Sequence, residues 1–258
     1  MRDIPKDIAR VKGRTGREAR FLKPYLFDAL DRVPATHPLG AAAKSVLKNW
    51  DGSMFADAVN STTLDAGEVI FSAWLDETVK AIFGHALGDL LTVAGAQKDR
   101  VAEGTSNMLL HLLDEALGEG SDVAPNLDYL AGRDPNALMS QAFDRALTGL
   151  AARGPDPASW TAPRGYIDFN HPIISRIIGR PVAQVPFSNR ATYAQIIQLL
   201  PSGIRGESIF TLGQSGFIHL VPTTGGFRFD AHFFDQKPLY ERFEYKPMPL
   251  YLNTELRE

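Results

Sequence analysis

The sequence has no cysteine, which excludes a disulfide framework and zinc sites built on thiolates. It also has no apolar run of about 20 residues, the length that a membrane-spanning helix needs. The 27 basic and 30 acidic residues nearly cancel, so no strong field attracts nucleic acid or an acidic membrane. The P-loop and glycine-rich dinucleotide patterns are missing as well. We therefore expect neither a nucleic-acid nor a membrane partner.

The first twenty residues, MRDIPKDIARVKGRTGREAR, are basic and contain no apolar stretch. This pattern is typical of neither a signal peptide nor a membrane anchor. We predict a cytoplasmic protein, or a periplasmic one if the chain is part of a longer exported precursor. The segment GRTGRE follows no predicted strand, so it is only a weak phosphate-binding pattern.

Residues 1–154 have the apolar spacing of helices. From Ala19 to Val33 apolar residues recur at three- and four-residue steps, which predicts a helix with one buried face. Pro24 is assigned to the first turn of this helix or to its start, because proline fits there without losing a hydrogen bond.

Three further helices are predicted in this part. The order DAGE makes Asp65 a helix cap, with Glu68 three residues later as in a capping box. A short helix is predicted over Ser106–Leu117. The clearest helix follows Asp134, which serves as its cap, with Pro135 at the first helical position.

Residues 155–258 are richer in glycine, proline and aromatic residues, and helical spacing fades. The segments RGYIDF, YAQIIQLL and ESIFTLG have the composition of strands. The tail FDQKPLYERFEYKPMPLYLN, with its prolines, is interpreted as an extended segment that wraps a surface. Helices followed by strands predict an α+β fold, with a helical part at 1–154 and a strand-rich part at 155–258.

The segment TLGQSGFIHL places Ser215 between two glycines. A nucleophile elbow needs the pattern G-x-S-x-G, but Phe217 occupies the fifth position here. Asp230 and His232 follow in the order of a Ser–Asp–His triad. Two residues apart on a strand they would lie side by side, roughly 6–7 Å apart, whereas a triad needs the carboxylate behind the imidazole. We therefore interpret the segment as a glycine-bracketed turn.

The six histidines form neither H-x-x-x-H nor H-E-x-x-H. The segment FDAHFFD gathers Asp230, His232 and Asp235, but it lacks metal-ligand spacing and is interpreted as a solvated loop. Asp51 lies in a turn without the spacing of a calcium loop, and His111 is interpreted as a core residue. The residues alone thus assign no catalytic, cofactor-binding or metal-binding residue.

Several segments together resemble one family. FSNRATYAQII, GQSGFI and HFFDQKPLYERFEYKPMPL are similar to the closing segment of penicillin acylases (penicillin amidases), which are N-terminal-nucleophile hydrolases. The family's Gly-Gln-Ser-Gly turn corresponds to residues 213–216. Its later His/Tyr–Asp–Gln–Leu–Tyr pattern corresponds to Phe234, Asp235, Gln236, Leu239 and Tyr240.

Earlier segments resemble the family more loosely. LKPYLFDALDRV and LKNWDG are similar to a helix and a turn midway along its large (β) subunit. ASWTAPRGYIDFNHP is similar to its Trp-to-His-Pro segment, through Trp160 and His171. In two places the chain departs from the family: Ala191 stands where the family has glycine, and residues 163–165 replace a Trp-Gly pair.

The resemblance implies an αββα sandwich to which both parts of the chain belong. It implies a self-cleaving precursor whose new N-terminal serine attacks the amide bond of N-acyl compounds, penicillins or related amides. In the family the serine's α-amine acts as the base, and an asparagine with backbone N–H groups stabilises the oxyanion. Calcium often bridges the two subunits of the complete enzyme.

None of these catalytic positions or calcium ligands corresponds to a residue of this chain. The first hypothesis is therefore the C-terminal part of a penicillin-acylase large subunit, with the missing N-terminal part or the small subunit as partner. The alternative is a non-catalytic binding or structural protein that retains the scaffold. A serine hydrolase using Ser215 ranks last. Open strand edges in such a fragment predict self-association.

Overall fold

A computed structural model describes residues 14, 16–88, 128–188, 193–221 and 223–248. They fall into two compact units. The helical unit comprises residues 15–56 and 62–163, and the strand unit contains residues 57–61 together with the chain from Arg164 onward. Across these described ranges no helix is long and apolar enough to cross a membrane.

The described part of the helical unit is built from helices and one small sheet. The helices are α1 (Arg17–Arg32), α2 (Gly40–Asn49), α3 (Ala66–Leu87) and α4 (Pro135–Leu150), followed by 3₁₀ turns at Ala151–Arg153 and Pro157–Ser159. Strands β1 (Thr63–Leu64) and β2 (Ala162–Pro163) pair antiparallel.

Helix α1 confirms the helix predicted from Ala19 onward but corrects the position of its proline. The helix begins at Arg17, so Pro24 lies inside it and not in the first turn. An interior proline loses one backbone hydrogen bond and costs about 3 kcal/mol in a helix. Burial of Leu22 and Leu26, at 1% and 0% exposure, offsets that cost.

The predicted caps of α3 and α4 are confirmed. Asp65 Oδ1 accepts from the Gly67 N–H at 2.9 Å, and Asp134 Oδ1 accepts from the Asn136 N–H at 3.0 Å. The capping box around Glu68 was wrong, because the Asp65 N–H donates to the Met54 carbonyl at 2.7 Å and the Glu68 carboxylate accepts from the Ser72 hydroxyl at 2.8 Å. The predicted helix over Ser106–Leu117 and residue His111 lie outside the described residues.

All four helices pack around one hydrophobic core that contains the indole rings of Trp50, Trp74 and Trp160. A Cβ atom at Gly67 would overlap the Trp50 indole, so only glycine lets α3 approach this ring. Trp160 is 0% exposed, and its Nε1 donates to the Gly154 carbonyl at 2.9 Å. Residues 155–163 therefore pack with the helices, whereas the sequence-based division separates them at residue 154.

The strand unit contains small antiparallel sheets and two short helices within the described ranges. Strand β3 (Tyr166–Phe169) pairs with β4 (Ala183–Pro186), and β7 (Ile218–Val221) pairs with β8 (Gly226–Phe229). The largest sheet has the order β5 (Tyr193–Leu200), β6 (Gly203–Phe210) and β9 (Lys246–Met248). The helices are α5 (Ile174–Ile178) and α6 (Lys237–Glu241).

The predicted α+β class and the strands in RGYIDF, YAQIIQLL and ESIFTLG are confirmed. The extended interpretation of the tail was wrong for residues 237–241, which form α6, whereas residues 246–248 are extended in β9. Tyr240 on α6 is 2% exposed and packs against Val185 and Ile209, and this packing stabilises a helix that the prolines of the tail obscured. The rest of the tail lies outside the described residues.

Candidate functional site

The two halves of the family-like motif, the turn at residues 213–216 and the later segment with Asp235 and Gln236, contact each other in the strand unit. The loop between β6 and β7 carries Ser215, whose N–H donates to the His232 carbonyl at 3.2 Å. The Gln236 N–H donates to the Leu212 carbonyl at 2.9 Å. In return, Gln236 Oε1 accepts from the Phe210 N–H at 3.0 Å. These hydrogen bonds join the serine turn to the segment that follows β8.

Gly213 makes this close approach of the two segments sterically feasible. A Cβ atom there would overlap the His232 carbonyl oxygen and lie 2.7 Å from Asp235 Oδ1. By contrast, a Cβ atom at Gly216 would meet nothing within 4 Å. The first glycine of the turn is therefore required by packing, and the second is not.

The side chain of Ser215 is engaged locally. Its Oγ accepts from the Phe217 N–H at 3.2 Å, as in a hydroxyl turn, and the Ser215 O–H donates to the Asp230 carboxylate. The His232 N–H donates to Asp230 Oδ1 at 2.9 Å. This backbone bond first, and the Ser215 hydroxyl second, lower the pKa of Asp230. Asp230 thus accepts hydrogen bonds from the turn and orients no imidazole ring behind Ser215.

The imidazole of His232 belongs to a different pair. Its Nδ1 lies 3.1 Å from Asp235 Oδ2, and the side chain is 70% exposed. Within the described contacts no hydrogen bond joins this ring to the Ser215 hydroxyl. The structure therefore brings Ser215 and Asp230 together, and His232 and Asp235 together, without assembling a triad. The prediction that Asp230 and His232 lie side by side on a strand was wrong, since His232 follows the end of β8.

The described residues also provide no metal centre. They contain no group of three or more His, Asp or Glu side chains that could hold an ion. The described acid and imidazole side chains therefore do not fit the calcium that the family resemblance implies. The predicted turn at Asp51 is confirmed, because its Oδ1 accepts from the Ser53 N–H at 2.9 Å.

One titratable group that sequence reasoning missed lies in the helical unit. Burial raises the pKa of Glu68 to about 7, and the nearby carboxylates of Glu18 and Asp65 raise it further against the opposing hydrogen bond from Ser72. A carboxyl with this pKa could exchange protons near neutral pH, and in the described contacts the Ser72 hydroxyl donates to it. The sequence position of Glu68, three residues after the cap Asp65, does not indicate that its side chain is buried.

Comparison with known proteins agrees with the family resemblance of the motif. A family model for penicillin amidase matches residues 11–254. Among solved structures, thermostable penicillin G acylase from Alcaligenes faecalis is similar with a TM-score of 0.59 and 22% identity. The match covers 95% of this chain and 45% of that chain, so this chain spans less than half of the acylase chain. No curated protein sequence matches. The chain belongs to the penicillin amidase family.

Proposed function

We propose that this chain supplies scaffold for a penicillin-amidase-type hydrolase that opens the amide bond of N-acyl compounds, penicillins or related amides. The family match over residues 11–254 carries this proposal. The attacking group is a serine at the N-terminus of a large subunit, contributed by polypeptide outside these residues. In support, more than half of the similar acylase chain has no counterpart here.

In this proposal the chain's residues position strands and do not touch the reacting bond. Ser215 and Gln236 tie the β6–β7 loop to the segment after β8 through hydrogen bonds to His232 and Leu212. Such a joint holds the end of β6 at a fixed place relative to β8. The chemistry that the family implies is acyl transfer, in which the serine forms an acyl-enzyme and water releases the acid.

Three parts of the proposal concern the complete enzyme. Its partner is the missing N-terminal part or the small subunit, calcium belongs to residues contributed by that partner, and the location is periplasmic if the precursor is exported. The second candidate function is a binding or structural protein that retains the scaffold. The pairing of Ser215 with Asp230, and not with an imidazole, favours this candidate over a hydrolase that uses Ser215.

The experiment is hydrolysis of a chromogenic phenylacetyl amide. We expect no hydrolysis by this chain alone, and activity when it is co-produced with the unmatched N-terminal part of a penicillin amidase. Hydrolysis by the chain alone that Ser215→Ala abolishes would overturn the proposal. An inert co-produced pair, with phenylacetate binding detected by calorimetry for the chain alone, would favour the binding protein.

A further inference from the structure

The β7–β8 hairpin extends from the serine turn, and its two ends are held together at its base. The Asp230 N–H donates to the Phe217 carbonyl at 3.1 Å, and the Ser215 N–H donates to the His232 carbonyl at 3.2 Å. Among the described strands, β7 and β8 pair only with each other. Because an isolated two-stranded hairpin is only marginally stable in water, a further strand beside it would stabilise it.

The backbone of β7 offers hydrogen-bonding groups to such a strand. Opposite pairs in an antiparallel ladder alternate between hydrogen-bonded and non-bonded. The hydrogen bond at the base of the hairpin makes Ile218–Phe229 and Leu220–Phe227 the non-bonded pairs. The N–H and C=O groups of Ile218 and Leu220 therefore point away from β8, along the outer edge of β7.

The outer side of β7 is also the more exposed side of the hairpin. The Phe229 ring on β8 contacts the rings of Phe233 and Phe234, with centroids 4.7 and 4.9 Å apart. On the β7 side, Phe217 and Leu220 are 74% and 62% exposed. The segment that follows β8 thus packs against β8, whereas the apolar side chains along β7 remain uncovered in the described ranges.

The other face of the hairpin is basic. Residues 216–229 include His219 and Arg228 and no acidic residue. These two side chains lie opposite each other across the strands, where like charges destabilise a sheet once the imidazole is protonated. The nearby carboxylate of Asp230 already accepts from the Ser215 hydroxyl and the His232 N–H. A further strand with acidic side chains on this face would supply the opposite charge.

We propose that an extended segment of the missing N-terminal part of the enzyme adds as a third strand to the outer edge of β7. Its backbone pairs with the N–H and C=O groups of Ile218 and Leu220. Successive side chains of a strand point to opposite faces, so this segment alternates apolar residues beside Leu220 with acidic residues beside His219. The inference rests on the proposed function, because that function requires the polypeptide that supplies the strand.

The observations favour this polypeptide over a second copy of the chain. More than half of the similar acylase chain has no counterpart here, so the complete enzyme contains enough further polypeptide to supply a strand. A twofold pairing that joins Ile218 of one copy to Leu220 of the other centres on His219. It places two imidazoles directly opposite each other, which disfavours the pairing when they are protonated. A strand from another polypeptide can instead bring a carboxylate to His219.

The first test co-produces this chain with an affinity-tagged form of the part of the similar acylase chain that has no counterpart here. We expect the tagged part to retain this chain on the affinity resin. Leu220→Pro removes one outward N–H but no hydrogen bond between β7 and β8, so retention should fall about tenfold. The matched control is Phe227→Pro, which removes the outward N–H of the opposite residue on β8 and should be retained like the wild type.

The second test concerns the charge of the added strand. His219→Glu places a carboxylate beside the acidic side chains of that strand and should lower retention about two- to fivefold. The matched control His219→Lys keeps a basic group and should be retained at least as well as the wild type. Equal losses for both variants, or a larger loss for His219→Lys, would refute the acidic composition of the strand.

Several outcomes of the first test would overturn the inference. They are no retention of the wild type, unchanged retention of Leu220→Pro, and equal losses for Leu220→Pro and Phe227→Pro. A dimer of this chain alone, detected by light scattering and abolished by Leu220→Pro, would make a second copy the occupant instead. Hydrolysis of the phenylacetyl amide is measured separately. A retained but inert wild-type complex would count against the proposed function and support the added strand, whereas activity in the mixture without retention would do the reverse.

Discussion

The two units differ in how completely they bury their apolar residues. The described part of the helical unit places 21 buried hydrophobic residues in one cluster, whereas a cluster in the described part of the strand unit has three. Of the large hydrophobic residues that are exposed in the described ranges, only Phe21 lies in the helical unit. The helices thus bury their own core, while the strands present apolar faces that need further protein to cover them.

The largest expected effect is on the core of the helical unit. Phe143 on α4 is 0% exposed, so Phe143→Ala should lower the free energy of unfolding by about 3–5 kcal/mol. The matched change Phe217→Ala, at a ring that is 74% exposed, should cost about 0.5 kcal/mol or less. Urea unfolding followed by circular dichroism at 222 nm measures both. Equal losses of unfolding free energy in the two variants would contradict the difference in apolar burial between the two units.

The next effect tests the turn at residues 213–216, which packs closely against the segment after β8 in the strand unit. Gly213→Ala forces a methyl group against the His232 carbonyl and should destabilise the unit by about 1–3 kcal/mol. Gly216→Ala meets open space and should change stability by less than about 1 kcal/mol. The denaturant midpoint followed by far-ultraviolet circular dichroism gives the comparison. If Gly216→Ala proved the more harmful change, the packing explanation of the motif would be wrong.

A smaller effect depends on pH and on the helical unit. The pKa of Glu68 is raised to about 7 from its ordinary value of 4.5, so the folded state binds this proton more tightly than the unfolded state. Stability from this group is complete below about pH 4.5 and is lost as the pH rises through 7. The loss amounts to about 1–3 kcal/mol, reduced by partial exposure to solvent.

The variant Glu68→Gln tests this pH dependence. It keeps an acceptor for the Ser72 hydroxyl but cannot ionise, so it should be more stable than the wild type at pH 8 and should match it near pH 4.5. The control is Asp144. Burial tends to raise the pKa of its carboxyl, but hydrogen bonds from the Thr36 hydroxyl and from the His37 and Thr36 N–H groups lower it overall. Asp144→Asn should remove stability at neutral pH instead. Thermal melts at both pH values measure these differences. If Glu68→Gln were less stable than the wild type at pH 8, the explanation based on Glu68 would be wrong.

The smallest effect concerns a surface ion pair. The Lys44 ammonium lies 2.6 Å from Asp31 Oδ1, but the two side chains are 32% and 69% exposed. Solvent screening leaves such a pair about 0–1 kcal/mol of stability, so Lys44→Ala should shift the unfolding midpoint little. A loss as large as that of Phe143→Ala would contradict the view that apolar burial dominates the helical unit.

Local signals predicted the fold best. Asp65 and Asp134 cap helices because a carboxylate accepts from nearby N–H groups, which is a short-range effect visible in sequence. Strand β5 has the bounds of the segment YAQIIQLL read from composition alone. Pro24 was misplaced because the packing of Leu22 and Leu26 outweighs a local penalty. Helix α6 was missed for the same reason, since Tyr240 is held by residues distant in sequence.

The candidate site was predicted less completely. Sequence spacing argued against a nucleophile elbow at Ser215, because the pattern itself is incomplete. The contacts that explain the turn were not predictable, since Gly213 meets His232 only after β7 and β8 have folded between them. The raised pKa of Glu68 likewise depends on burial contributed by other elements. The contacts of the turn and the raised pKa of Glu68 both depend on long-range packing and not on residue type.

The central claim is that this penicillin-amidase scaffold has a structural serine turn and no attacking group of its own at Ser215. Intact-mass spectrometry after rapid acid quenching of an incubation with a phenylacetyl ester tests it most directly, because a serine nucleophile carries the acyl group until water removes it and the quench stops that step. We expect the unmodified mass of the chain. A phenylacetyl adduct that maps to Ser215 and disappears in Ser215→Ala would contradict the account.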